Sequence, residues 1–184
     1  CLNYLTNPMA FSPCMSASML TPLASLLLLP FCLNKLGRRN TLILSNIILI
    51  FGGILALIAR ENLIWVIVSF AIKGFAGGFG GSISLSMIAD TTAVCERNSG
   101  IKAPSILYSM FTFSMKVAQA GVTWITTLVL TLIHYDGLLP AQSASTINGL
   151  YMANGWSCVV IGALGIVVAL FYTLDKEMSA MQKN

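Results

Sequence analysis

Residues 105–133 read SILYSMFTFSMKVAQAGVTWITTLVLTLI, a long apolar run with one lysine, Lys116, near its middle. Laid on a helix at about 100° per residue, Thr112, Lys116, Gln119, Thr123 and Thr126 form one polar row. Ser105, Tyr108, Ser109 and Thr127 fall in the same sector. The other faces carry Ile106, Leu107, Met110, Phe111, Val117, Val122, Ile125 and Leu128. In water such a strip would face solvent. In a membrane it must face a cavity or another helix, because hydrocarbon satisfies no polar group.

The composition chooses the membrane. Of 184 residues, 57% are hydrophobic and 9% charged, with a mean hydropathy of +0.84. A soluble domain needs roughly 25% charged residues to coat its surface, so lipid is the solvent this chain is built for. The net charge of +4 is scattered or tied to segment ends, which argues against nucleic acid as a partner. The five cysteines form no CxxC pair, and three lie in apolar runs, where they read as small buried hydrophobes. With His134 the only histidine and no HExxH, GxSxG or paired membrane carboxylates, no cofactor, metal site or enzyme is expected.

Five apolar segments follow one another: 11–33, 41–59, 63–89, 105–133 and 150–174. Each reaches the roughly 20 residues that cross a hydrocarbon core about 30 Å thick. The expected fold is an all-α membrane bundle of five transmembrane helices. Loops 34–40 and 90–104 and the tail 175–184 carry Lys35, Arg38, Arg39, Arg97, Lys102, Lys176 and Lys183. The opposite side has Arg60 alone, so the positive-inside rule makes the basic loops and the C-terminus cytoplasmic. The chain opens at Cys1, and residues 1–7 read like the tail of a helix already under way, which suggests part of a longer protein.

Segment 63–89 holds Gly74, Gly77, Gly78, Gly80 and Gly81, including the GxxxG pairs Gly74–Gly78 and Gly77–Gly81. Close helix packing accounts for most of them; lining a cavity is the alternative, and spacing does not separate the two. Lys73, ~15 Å into that segment, has three readings: snorkelling, a structural ion pair or a substrate contact. Lys116 is the stronger candidate for function, because its row supplies hydrogen-bonding neighbours. Its ammonium is able to donate to sugar hydroxyls, or to neutralise carboxylates and compete with a bound cation. No acidic residue sits at midplane depth in this chain.

Met87-Ile88-Ala89-Asp90-Thr91, Glu96, Gly100-Ile101-Lys102, Tyr108-Ser109 and Lys116-Val117 resemble the C-terminal half of glycoside–pentoside–hexuronide:cation symporters, the melibiose and glucuronide carriers of the major facilitator superfamily. Glu96 stands six residues after Asp90, and Lys116 eight after Tyr108, as in that family's pattern. Lys102 replaces its arginine, and Ala93-Val94-Cys95 replaces the Asp-Tyr-Gly usually before Glu96. The resemblance implies helices eight to twelve of a twelve-helix fold in a bacterial inner membrane. It implies symport of a sugar with sodium, lithium or protons by alternating access, with the N-terminal half of the protein as partner. Lys116 would lie at the sugar and cation sites and Thr112 would contact sugar, with Tyr108, Gln119 and Thr123 along the same row. Asp90, Glu96, Arg97 and Lys102, with Arg38 and Arg39 of the basic turn, would form a cytoplasmic gate. The competing expectations are a non-transporting scaffold or assembly subunit that uses its glycine faces, and an inactive transporter fragment.

Overall fold

The computed structural model describes residues 11–59, 62–99, 104–136 and 143–171. Among them stand four helices: α1 (Phe11–Ala59), α2 (Leu63–Ser99), α3 (Pro104–Leu132) and α4 (Ala144–Phe171). All four are long and apolar enough to cross a membrane. The chain is a multi-pass, all-α membrane protein.

Four elements rather than five come from one residue. Helical hydrogen bonding continues from 11–33 into 41–59, interrupted only at Gly37, with φ 76° and ψ 169°. That backbone region is essentially closed to residues with a Cβ. The expected loop 34–40 therefore shrinks to a single glycine, and α1 is two arms folded at Gly37. Thr41 secures the fold by donating to the Gly37 carbonyl at 2.6 Å and the Cys32 carbonyl at 3.4 Å.

Pairings with α2 show that the arms run in opposite directions. Along the first arm, Ser18 and Thr21 lie against Gly74, and Pro22 and Ser25 against Gly78, so numbers rise together. Along the second, Ser69 donates to the Gly52 carbonyl at 2.9 Å, and Ser45 to the Ala76 carbonyl at 3.0 Å, so they rise in opposition. Helix α4 lies antiparallel to the second arm, with Gly155 beside Gly53 and Leu57, and Gly162 beside Asn46 and Ile50. Each of these glycines removes a Cβ that would collide, which lets backbones approach closely where lipid provides no hydrophobic drive.

The boundaries have local causes. Helix α2 continues through 90–99, expected as loop, because no proline or glycine intervenes and Thr91 and Thr92 bond back to Met87 and Ile88 at 2.9 Å. Pro104 opens α3 at a position where its missing N–H costs nothing. At the other end His134 is left-handed (φ 52°), and Tyr135 N–H reaches the Leu130 carbonyl at 3.0 Å, closing the helix as a Schellman turn. Ser143 caps α4 by accepting from the Thr146 N–H at 3.2 Å. That helix thus starts at Ala144, ahead of the expected residue 150. Residues 1–7, Arg60, Glu61, Lys102 and the tail 175–184 lie outside the described residues.

Helix α3 stands apart in burial, since none of its residues is buried. Its tie to α4 is at its C-terminal end, where Thr146 donates to the Ile133 carbonyl at 3.0 Å and Gly149 packs on Ile133.

Candidate functional site

Lys116 lies roughly 18 Å along α3 from Pro104, close to the middle of a 29-residue helix. It shares an open hollow of about 410 Å³ with Tyr108, Ser109, Thr112 and Phe113. One turn further on, Gln119 and Thr123 line a second hollow of about 560 Å³ with Met115, Ala118 and Val122. The five candidate residues of the row thus divide between two adjoining depressions on one helix: Tyr108, Thr112 and Lys116 in the first, Gln119 and Thr123 in the second. All five are exposed.

The hydroxyl protons of the row are already committed. Ser109 donates to the Ser105 carbonyl at 2.7 Å, Thr112 to Tyr108 at 2.8 Å and Thr123 to Gln119 at 2.9 Å. Their oxygens keep lone pairs and face the hollows as acceptors. Lys116 makes no hydrogen bond or ion pair among the described residues. The first hollow therefore offers one ammonium with three unspent donors, a phenol and a rim of acceptor oxygens.

Among the gate candidates, Arg38 and Asp90 meet. Arg38 Nε donates to Ser86 Oγ at 3.0 Å and lies 2.6 Å from Asp90 Oδ2. Its N–H is spent on the serine, so the carboxylate contact is an ion pair rather than an aligned hydrogen bond. Asp90 is buried, while the Arg38 side chain keeps about a third of its surface exposed. This couples the reversal at Gly37 to the far part of α2. Glu96 and Arg39 are half-buried and Arg97 is exposed. Lys102 falls outside the described residues.

Lys73 proves to be part of a polar junction. Its Nζ donates to Asn154 Oδ1 of α4 at 3.1 Å and stands 5.4 Å from the Phe70 ring centroid. Its stem passes Gly52, where an added Cβ would come within 3.1 Å of Lys73 Cγ. Lys73 and Asn154 each lie ten residues into helices that run the same way, so they sit at one depth. A sequence reading that starts the last span at residue 150 puts Asn154 near the membrane surface and misses the pair. The signal was a lone asparagine inside an otherwise apolar run.

The glycine question of α2 also has a geometric answer. Gly74 and Gly78 are filled from the first arm: an added Cβ would lie 2.8 Å from Ser18 O at one and 2.8 Å from Pro22 Cα at the other. An added Cβ at Gly77 or Gly81 would meet nothing within 4 Å among the described residues, so these two leave an open strip.

The described residues thus form a multi-pass helical membrane protein with an ammonium near the middle of a membrane-length helix, beside an open hollow. The chain matches the MFS/sugar transport protein family over residues 1–176 and is a member of it. It is 28% identical over 163 residues to an isoprimeverose transporter of Lactiplantibacillus pentosus, covering 85% of this chain and 33% of that protein. It is 26% identical over 160 residues to an Escherichia coli K12 protein provisionally named a sulfoquinovose importer, covering 86% and 34%. A Salmonella typhimurium protein provisionally named a 2,3-dihydroxypropane-1-sulfonate exporter is 26% identical over 152 residues, covering 82% and 33%. The chain thus spans about a third of the length of these relatives. No solved structure matches it.

Proposed function

We propose that the protein is a secondary active transporter that moves a sugar or sugar derivative across a membrane by alternating access, coupled to a cation (Na⁺, Li⁺ or H⁺), and that this chain supplies one side of the substrate site. The observation that carries the reading is Lys116: an ammonium near the middle of α3, with no partner among the described residues, opening into a hollow with Tyr108, Ser109 and Thr112. An ionisable group costs roughly 2.5–3.5 kcal/mol at a helix centre, and such groups face protein or water-filled pathways. Family membership and the names of the relatives support a sugar-like cargo. Arg38–Asp90 takes the part of a gate contact on the basic, cytoplasmic side, made when that end is packed and broken when it opens. The remaining helices of the carrier, contributed by the rest of the protein, would close the hollow and hold the coupling cation.

The scaffold alternative requires Lys116 to pair with a neighbouring helix, whereas among the described residues it pairs with none. The test is uptake by the full-length protein in proteoliposomes. Lys116→Ala is expected to lower cation-driven sugar uptake by about a hundredfold or more, as loss of a charge-assisted contact in a low-dielectric site would. Undiminished uptake would sink the role given to this lysine.

A further inference from the structure

We infer that the outer face of the first arm of α1 seats an anionic phospholipid: its phosphodiester rests on the Lys35 ammonium and the Asn34 amide, and an acyl chain runs along Phe31, Leu27 and Leu20. The inference is independent of what the protein carries and concerns the lipid beside it.

Three observations lead there. First, Leu20, Leu23, Leu27 and Phe31 follow at spacings of three, four and four, so they form one row on a helix. They are 63, 60, 83 and 60% exposed, so no helix among the described residues covers the row. From Leu20 to Phe31 it measures ~16 Å, one leaflet's share of a hydrocarbon core about 30 Å thick. Second, the row ends in a cation that leans inward. Lys35 stands one turn beyond Phe31 and is exposed, and its Nζ lies 4.4 Å from the Phe31 ring centroid. A helical side chain leans towards the N-terminus of its helix, which here is back along the row. The stem so lies on the ring, and the ammonium is held at the edge of the apolar face. Third, this ammonium has no carboxylate. It makes no hydrogen bond or ion pair among the described residues. Arg38 of the same turn is taken by Ser86 and Asp90. Asn34 is exposed, falls on the other side of the Phe31 row from Lys35, and adds an amide donor.

Shape and charge together choose the occupant. The close helix contacts of this protein run through glycine, where Gly74 and Gly78 of α2 meet the first arm and Gly155 and Gly162 of α4 meet the second. This row offers large side chains and no glycine, which suits a flexible acyl chain better than a second helix. A zwitterionic headgroup brings its own cation to Lys35. An anionic headgroup brings a phosphodiester that nothing else neutralises, and the contact between ions is the stronger one. The positive-inside rule puts this turn at the leaflet where anionic lipids concentrate. A soluble phosphate matches the ammonium but leaves the row unused.

The test uses the purified full-length protein in detergent and three probes: phosphatidylglycerol, phosphatidylcholine with the same acyl chains, and glycerol phosphate. Native mass spectrometry reads the first lipid adduct, and the rate of Lys35 acetylation by a water-soluble active ester is followed in peptides. Phosphatidylglycerol is expected to half-saturate at about fivefold lower concentration than phosphatidylcholine, and to slow Lys35 acetylation about fivefold more. Lys35→Gln should reduce the preference to under about twofold, and Lys35→Arg should keep most of it. Glycerol phosphate at the same concentrations should leave acetylation unchanged. The acetylation rates, taken on the unaltered protein, decide the matter even if Lys35→Gln does not fold. Equal binding of the two lipids, a first-adduct preference that survives Lys35→Gln, or acetylation indifferent to both lipids overturns the inference. Protection by glycerol phosphate equal to that by phosphatidylglycerol also overturns it, since the site would then take an anion without a lipid.

Discussion

Arg38 and Asp90 come from two helices, α1 and α2, that meet at the reversal around Gly37, and the pair shows what a single ion contact is worth here. Asp90 is buried and Arg38 partly exposed, so the contact is intermediate between a screened surface bridge and a desolvated one. Removing Asp90 leaves Arg38 its hydrogen bond to Ser86; removing Arg38 takes the cation from beside a buried carboxylate. A double-mutant cycle of Arg38→Gln and Asp90→Asn, read by thermal unfolding in detergent, is expected to give a coupling of about 1–2 kcal/mol. Strict additivity would show that the two charges do not act on each other. Both residues were named as gate candidates through the family resemblance, at places where apolar runs end. Their pairing was not, since 52–86 had first to be placed as helix beside a reversed arm. Lys73 teaches the same lesson: its depth followed from counting, but its partner depended on where α4 begins.

Helices are where the sequence spoke most clearly and where its punctuation misled. The apolar runs fall on the four long helices, because hydrocarbon thickness fixes how many apolar residues a crossing helix needs. Charge marks where a span leaves the hydrocarbon core, but it does not stop a helix. Hence α2 runs on to Ser99, and the basic turn collapses onto Gly37. The glycines of α2 show why pattern alone was insufficient: Gly74–Gly78 and Gly77–Gly81 are identical as motifs, but only the first pair is filled by a neighbour. Gly78→Ala is therefore expected to destabilise the protein by about 1–3 kcal/mol through overpacking against Pro22 and Ser25. Gly77→Ala should be neutral, or stabilising by up to ~1 kcal/mol through helix propensity. Thermal midpoints of the two variants in the same detergent check this. An equal loss at both positions would mean that the Gly77 strip is packed in the working protein.

For the molecule as a whole, the uneven distribution of burial carries the argument. The two arms of α1, α2 and α4 hold one another through serine, asparagine and glycine contacts at backbone distance, and Cys14, Ala59 and Val66 form a small core where three of these segments meet. Helix α3, which bears the whole polar row, has no buried residue and exposes Met110, Phe113, Trp124 and Leu132. In lipid such apolar exposure is tolerable; the polar row beside it is not, because hydrocarbon cannot satisfy Lys116, Gln119 and the free lone pairs of the hydroxyls. Alternating access requires two bodies that rock about a midplane site. On the proposed reading the row is one wall of such a site, and the chain spans only about a third of its relatives' length. Expressed by itself, the 184-residue chain is expected to insert as helices but to give no sugar uptake above protein-free liposomes, whereas the full-length protein does. Co-expression with the remainder of the protein as a separate chain should restore part of that uptake by covering the row. Uptake by the 184 residues alone would mean that α3 finds its opposing wall in a second copy, and that one third of a carrier suffices to build the path.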